Sequence, residues 1–254
     1  MVKLTIILLF VCQVTFGQFG ILIGNFNQAE QDFYPTEDLL AYWPFDVNAT
    51  DYANSYDLTV YNSPVLVEGH RNDCYDFGGN DSVDYMTVYH DYDLAVLNNP
   101  GTSSITICLW VKLDTKAYSQ IIMLNGEVNT SGAANYVIIY RQPEDEFRFN
   151  GSNAAGINKN VFASTFGSPS IDTWYFICCY YDHVGDSMGI SINNGTFDVL
   201  TSFGGHKTTG PATIGIANGG SAQTAGVYTD GKIDEIFIYG KVLEADSITA
   251  LYNR

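Results

Sequence analysis

The sequence predicts an all-β fold: two antiparallel sheets packed face to face, with one short helix at the C-terminal end. Three observations carry that expectation. Short β-branched and aromatic segments alternate with turn residues along the chain, with 24 glycines in 254 residues, which is the rhythm of strands and hairpins. In Ser104–Leu113 the alternation puts Ile105, Ile107, Leu109 and Val111 on one face and Thr106, Cys108, Trp110 and Lys112 on the other. A sheet with one wholly apolar face buries it against a second sheet. Good helical spacing occurs at Glu244–Tyr252, where Ile248 and Leu251 share a face.

Met1–Phe16 reads as an export signal: Lys3, the apolar run Leu4–Cys12, then Thr15-Phe16-Gly17 as a small-residue cleavage site. Its rival is a structured apolar strand in an unprocessed protein. Cleavage after Gly17 leaves 254 − 17 = 237 residues, and loss of the single Lys3 takes the formal charge from −17 to −18. Residues 18–36 join an apolar patch, Phe19-Gly20-Ile21-Leu22-Ile23, to a polar stretch ending at Pro35. This extension is read either as a leader or strand on its own domain, or as an exposed strand that adds to a neighbouring subunit's sheet.

Strands are then expected at 57–61, 85–89, 104–113, 120–124, 136–141, 146–150, 174–181, 188–192, 212–216 and 232–239. Asn193-Asn194-Gly195 should form a tight hairpin between Met188–Ile192 and Thr196–Leu200. Without a repeat, a Pro/Ser-rich linker or a composition break after residue 40, one domain over 37–254 is the economical reading.

Eleven Lys and Arg against 28 Asp and Glu make nucleic acid and anionic membrane poor partners, because no basic cluster exists to displace counterions. Beyond the signal no apolar stretch approaches the roughly 20 residues of a membrane helix, so the mature chain is expected to be secreted and soluble. In an oxidising compartment the four remaining cysteines, Cys74, Cys108, Cys178 and Cys179, suggest up to two disulfides. A Cys178–Cys179 bond is discounted because strand neighbours face opposite sides.

From residue 39 onward the landmarks resemble one family. Leu40-Ala41-Tyr42-Trp43-Pro44-Phe45-Asp46 with the Asn/Asp-rich loop 48–54 resembles the opening strand of concanavalin-A-like, laminin-G-like jelly rolls, pentraxin-like proteins included. Tyr75-Asp76-Phe77-Gly78-Gly79 looks like its Phe-x-Gly turn, and Ser104–Lys112 and Trp174–Asp182 are similar to its two Trp-bearing strands. Gly231-Lys232-Ile233-Asp234-Glu235-Ile236-Phe237-Ile238-Tyr239 resembles the closing strand, and Ile248, Leu251 and Tyr252 the short helix after it. The resemblance implies a two-sheet jelly roll in a family of lectins, adhesion modules and carriers, and leaves the ligand open.

An enzyme is not expected. Glucanases of this fold need carboxylates on alternate residues of one strand, whereas Asp234 and Glu235 are adjacent and should face opposite sides. Loop oxygens suit a hard cation, so Asp46 and Asp51, with Asn48 and Asp234, form a candidate structural Ca²⁺ site. The alternative is that Asp234 caps a turn and the loop acids are solvated. Asp81, Asp84, Asp91 and Asp93 form a weaker acidic cluster.

Glycans stack C–H faces on aromatic rings, and Tyr118, Tyr140 and Tyr228 are the candidate contacts, since Trp43, Trp110 and Trp174 are expected in the core. Sequons at Asn48, Asn80, Asn129, Asn150 and Asn194 are candidate glycan acceptors. The expected function is recognition or adhesion at an extracellular surface, with glycan or glycoprotein as partner. The other reading is a structural subunit of an extracellular filament, coat or matrix that self-assembles through residues 18–36.

Overall fold

The structure, a computed structural model, describes residues 34–90, 103–126, 134–205, 212–217 and 227–254. The export signal, residues 18–33, Asp91, Asp93 and Asn129 lie outside the described residues. In chain order the strands are β1 (Leu39–Trp43), β2 (Thr59–Tyr61), β3 (Val65–Glu68), β4 (Asp73–Gly78), β5 (Tyr85–His90), β6 (Ile105–Leu113), β7 (Gln120–Gly126), β8 (Ala134–Arg141) and β9 (Glu146–Ser152). There follow β10 (Asn158–Phe162), β11 (Trp174–Asp182), β12 (Ser187–Ile192), β13 (Asp198–Thr201), β14 (Ala212–Ile216) and β15 (Asp230–Tyr239). A single turn, α1 (Gly79–Ser82), links β4 to β5, and α2 (Ala245–Tyr252) follows β15.

Two antiparallel sheets form the expected sandwich. One has the order β13-β12-β11-β6-β15-β4-β3, with β1 also on β15; the other runs β10-β9-β8-β7-β14-β5-β2. Ile105, Ile107, Leu109 and Val111 of β6 enter the central core as their alternation requires, facing Met86, Ile138, Phe149 and Ile214 of the opposite sheet. The Asn193-Asn194 hairpin forms with both residues at positive φ, the geometry that keeps the twist of the flanking strands.

The other face of β6 is not a solvent face. Cys108 and Trp110 join Tyr42, Phe176, Cys178, Phe237 and Tyr239 in a second apolar layer that Leu243, Ile248 and Leu251 cover. Each of those aliphatic side chains contributes about 1.5–3 kcal/mol by leaving water, which holds α2 to the sheet. Tyr34 and Pro35 belong to the same layer: Tyr34 rests 4.9 Å from the Tyr42 ring, and Tyr239 Oη donates to the Pro35 carbonyl. This end of the extension therefore packs on its own domain.

Strands β3, β4 and β10 depart from expectation. Tyr75–Gly78, read as part of a turn, is strand paired with β15, and the turn itself is α1. Strand β15 also breaks its ladder. Trp43 of β1 pairs with Ile236 and Tyr75 of β4 with Ile233, so Asp234 and Glu235 face the gap between two strands that share one edge. The register against β6 shifts here, and Glu235 sits at φ 51°, as one extra bulge residue.

Candidate functional site

The outer face of the β2–β5 edge carries a row of tyrosines. Thr59 and Tyr61 lie opposite Thr87 and Tyr85, so two rings and two hydroxyls share a face, because Met86 and Val88 are spent on the core. The rings of Tyr61 and Tyr85 stack at 4.5 Å and 12°, and Tyr85 approaches Tyr228 at 6.4 Å. Tyr61 is 40% exposed and Tyr228 only 3%, so the row has a seated end and an open end. The seat is firm: Ile121 N–H donates to the Val227 carbonyl and Thr229 Oγ1 to the Ile121 carbonyl, clipping 227–229 to β7.

Acceptors border this row. Tyr118 Oη donates to Asp230 Oδ2 at 3.3 Å. Asp230 is raised above the usual carboxylate range, first by burial and then by the charges of Asp114, Asp76 and Asp81. Asp81 lies four residues before Tyr85 and Asp84 directly before it, and Asp84 Oδ2 accepts from the Gly78 amide and from Ser82 Oγ. Gly79, at φ 63°, lets the turn pass where any Cβ would collide with Tyr118 and Asp230.

The three tyrosines singled out in the sequence therefore separate. Tyr118 is half-buried at this rim, and Tyr228 forms its base rather than a contact surface. Tyr140, 1% exposed, is a core ring whose hydroxyl donates to Asp145 at 2.7 Å, and it cannot reach a ligand. Lys116, Ser168 and Tyr140 together hold the Asp145 carboxyl down at about 2.

The proposed calcium ligands also separate. Asp51 Oδ1 accepts from the amides of Tyr42 and Ala53, and Oδ2 from those of Asn54 and Tyr56. Both its oxygens are committed to folding the loop back on β1, which removes it as a ligand. Asn48 is exposed, and its Oδ1 accepts from the Thr50 amide. Asp234 Oδ2 accepts from the amides of His70 and Arg71, which fill the ladder gap left by the bulge. Asp234 Oδ1 and Asp46 Oδ1 are both buried and without a hydrogen-bond donor.

Burial, with the like charges of Glu235 and Asp46 adding to it against the Arg71 amide, pushes Asp234 up to about 8. Glu235 is pushed up to about 7 by burial, against the opposing Arg254 guanidinium. Asp46 is raised by burial, opposed by a hydrogen bond from Asn72. Two buried, donorless carboxylate oxygens beside the β15 bulge are the kind of ligand a hard cation takes, with backbone carbonyls as further ligands. No group of three or more His, Cys, Asp or Glu among the described residues is arranged to hold a metal.

The expectation that Asp234 and Glu235 face opposite sides is corrected. The bulge turns both to the outer face, where Glu235 accepts from Tyr42 Oη at 3.2 Å and pairs with Arg254. Arg254 also lies over the rings of Tyr34, Tyr42 and Phe237, so Glu235 is enclosed.

A family model described as the concanavalin A-like lectin/glucanases superfamily matches residues 80–249. The chain belongs to that superfamily. No curated protein matches it in sequence. Among solved structures it is similar to domain 4 of AbnA, a GH43 extracellular arabinanase from Geobacillus stearothermophilus, in complex with arabinotriose. That pair shares 15% identity over 85% of this chain and 98% of the other, with a TM-score of 0.65. It is also similar to the binding domain of botulinum neurotoxin DC in complex with SialylT, at 13% identity and TM-score 0.63 over 86% of this chain. The match covers 52% of that toxin chain, so this chain spans about half its length.

Within this superfamily frame, sequence reasoning missed Tyr61 and Tyr85. Both stand in expected strands, and the signal for them was the Thr-x-Tyr and Tyr-x-Thr alternation, which puts a hydroxyl beside each ring. The sequons scatter. Asn150 Oδ1 accepts from Arg148 Nε and Asn194 Nδ2 donates to Thr249 Oγ1, which engages both amides, while Asn80 falls in α1.

Proposed function

We propose that this chain is a secreted, non-catalytic binding module that takes a neutral glycan, free or on a glycoprotein, on the Tyr61–Tyr85 face. The observation that carries the reading is the stacked, part-exposed tyrosine pair flanked by Thr59 and Thr87, with the acids Asp81 and Asp230 close in the chain to Tyr85 and Tyr228. Sugar C–H faces lie on rings, hydroxyls donate to carboxylates, and an acidic rim repels carboxylated sugars. The arabinotriose and SialylT complexes of the similar structures support glycan as the ligand class. Burial of Asp234 and Glu235, one held by amides and the other by Arg254, supports a non-catalytic role.

A calcium ion held by Asp46 and Asp234 would stabilise the junction of β1, β4 and β15. The two donorless oxygens support that part of the reading. A glycan array probed with the wild type and with Tyr61→Ala tests the function. Neutral oligosaccharides should bind the wild type and fall about tenfold or more with the variant, a loss of about 1.4 kcal/mol. Uniform silence, or binding indifferent to the substitution, would remove the reading.

A further inference from the structure

Four of the chain's cysteines fall in described residues, and only two of them face each other. Cys108 on β6 and Cys178 on β11 are directly opposite in the antiparallel register, on the same outer face, with their Sγ atoms 3.3 Å apart. Opposite residues of such a ladder have Cα atoms about 4.5–5.5 Å apart, inside the span a disulfide needs. Cys179 belongs to the central core on the other face of the sheet. Cys74 sits on β4, two strands from β6 and thus roughly 10 Å across the sheet, its thiol donating to the Glu68 carbonyl. The Cys108–Cys178 pair lies in the apolar layer under α2, with the buried Ser191 opposite Cys178 on β12.

We propose that Cys108 and Cys178 are joined by a cross-strand disulfide that clamps β6 to β11 beneath α2. Closure requires only that the sulfurs move together by about 1.3 Å, to the bonded distance of roughly 2.05 Å. The bond forms by exchange with an oxidised dithiol, such as oxidised glutathione or a disulfide oxidoreductase. One cysteine thiolate attacks the oxidant's disulfide, expelling its first thiolate and forming a mixed disulfide, and the second cysteine then attacks the protein sulfur of that bond and expels the oxidant's other thiolate. Two protons and two electrons leave the pair, and the oxidant departs as two thiols. Both side chains are fully buried in the finished fold, and burial raises the Cys108 thiol well above its ordinary range. Exchange therefore precedes docking of α2. In the cell this rests on the export reading, whereas refolding in a glutathione mixture tests the chemistry independently of it.

The experiment is refolding of the chain in oxidised and reduced glutathione, denaturation, alkylation with iodoacetamide and mass spectrometry. One pair of thiols should escape alkylation, and fragmentation of the linked tryptic peptides 72–112 and 160–207 should place the bond at Cys108–Cys178. Cys74→Ala and Cys179→Ala should keep the bond, whereas Cys108→Ala and Cys178→Ala should each abolish it. Reductant should lower the melting temperature of the wild type by about 5–15 °C. Full alkylation of the refolded wild type, or a bond mapped to Cys74 or Cys179, would overturn the proposal. If the Cys108 and Cys178 variants do not fold, fragmentation of the wild-type peptides decides alone.

Discussion

Asp51 and Glu235 are both buried acids, and each answers to a different partner. Asp51 gathers three backbone amides of its own loop and that of Tyr42 on β1, so Asp51→Ala strands several donors at once and should cost about 2–4 kcal/mol in denaturant unfolding. Glu235 depends on Arg254, whose side chain is itself enclosed. Arg254→Met leaves the carboxylate buried without a cation and should cost about 3–5 kcal/mol near pH 8, while Arg254→Met combined with Glu235→Gln should recover most of the loss. A double variant no more stable than the single one would contradict the pairing. Neither role was legible in the sequence. An acid in an Asn/Asp-rich loop looks the same as ligand or staple until the backbone shows which amides point at it. The Arg254 partnership spans 19 residues and a helix.

The bulge in β15 sets the behaviour of that element with pH. Asp234 at about 8 and Glu235 at about 7 lie above ordinary unfolded values of about 4, so the folded state holds extra protons between them. Their stabilising contribution is complete below about pH 4 and is lost as pH rises toward 8. Asp145, held at about 2, works in the opposite sense, and its contribution is lost as pH falls below about 4. Melting temperature in chelator should therefore decline from about pH 5 to 8, and millimolar calcium should recover the loss at the alkaline end. A flat profile that ignores calcium would sink the metal proposal. Elements with a strong internal pattern were legible: β6, β11 and α2 declare their faces by alternation or helical spacing. By contrast β10, Asn-Lys-Asn-Val-Phe, is mostly polar and is a strand because β9 offers an edge, which no local pattern records.

At the scale of the molecule the sandwich brings β1 onto β15, so the first and last strands of the described residues meet. The architecture was legible because five landmarks occur in the order of the family. The candidate site was only half legible, since Tyr61 and Tyr85 meet through a pairing 24 residues apart and look like ordinary strand aromatics until β2 is laid on β5. The excess of acid, −17 in formal charge, should make acidic glycans the poorer ligands at low salt, with the gap to neutral ones narrowing as salt screens the rim. Parallel arrays at low and high salt check this. The most direct measurement is an NMR titration of the tyrosine-ring-labelled chain with the best neutral oligosaccharide from the array. The ring signals of Tyr61 and Tyr85 should move with saturating dependence on sugar. Saturating shifts confined to other rings would contradict the assignment of this face.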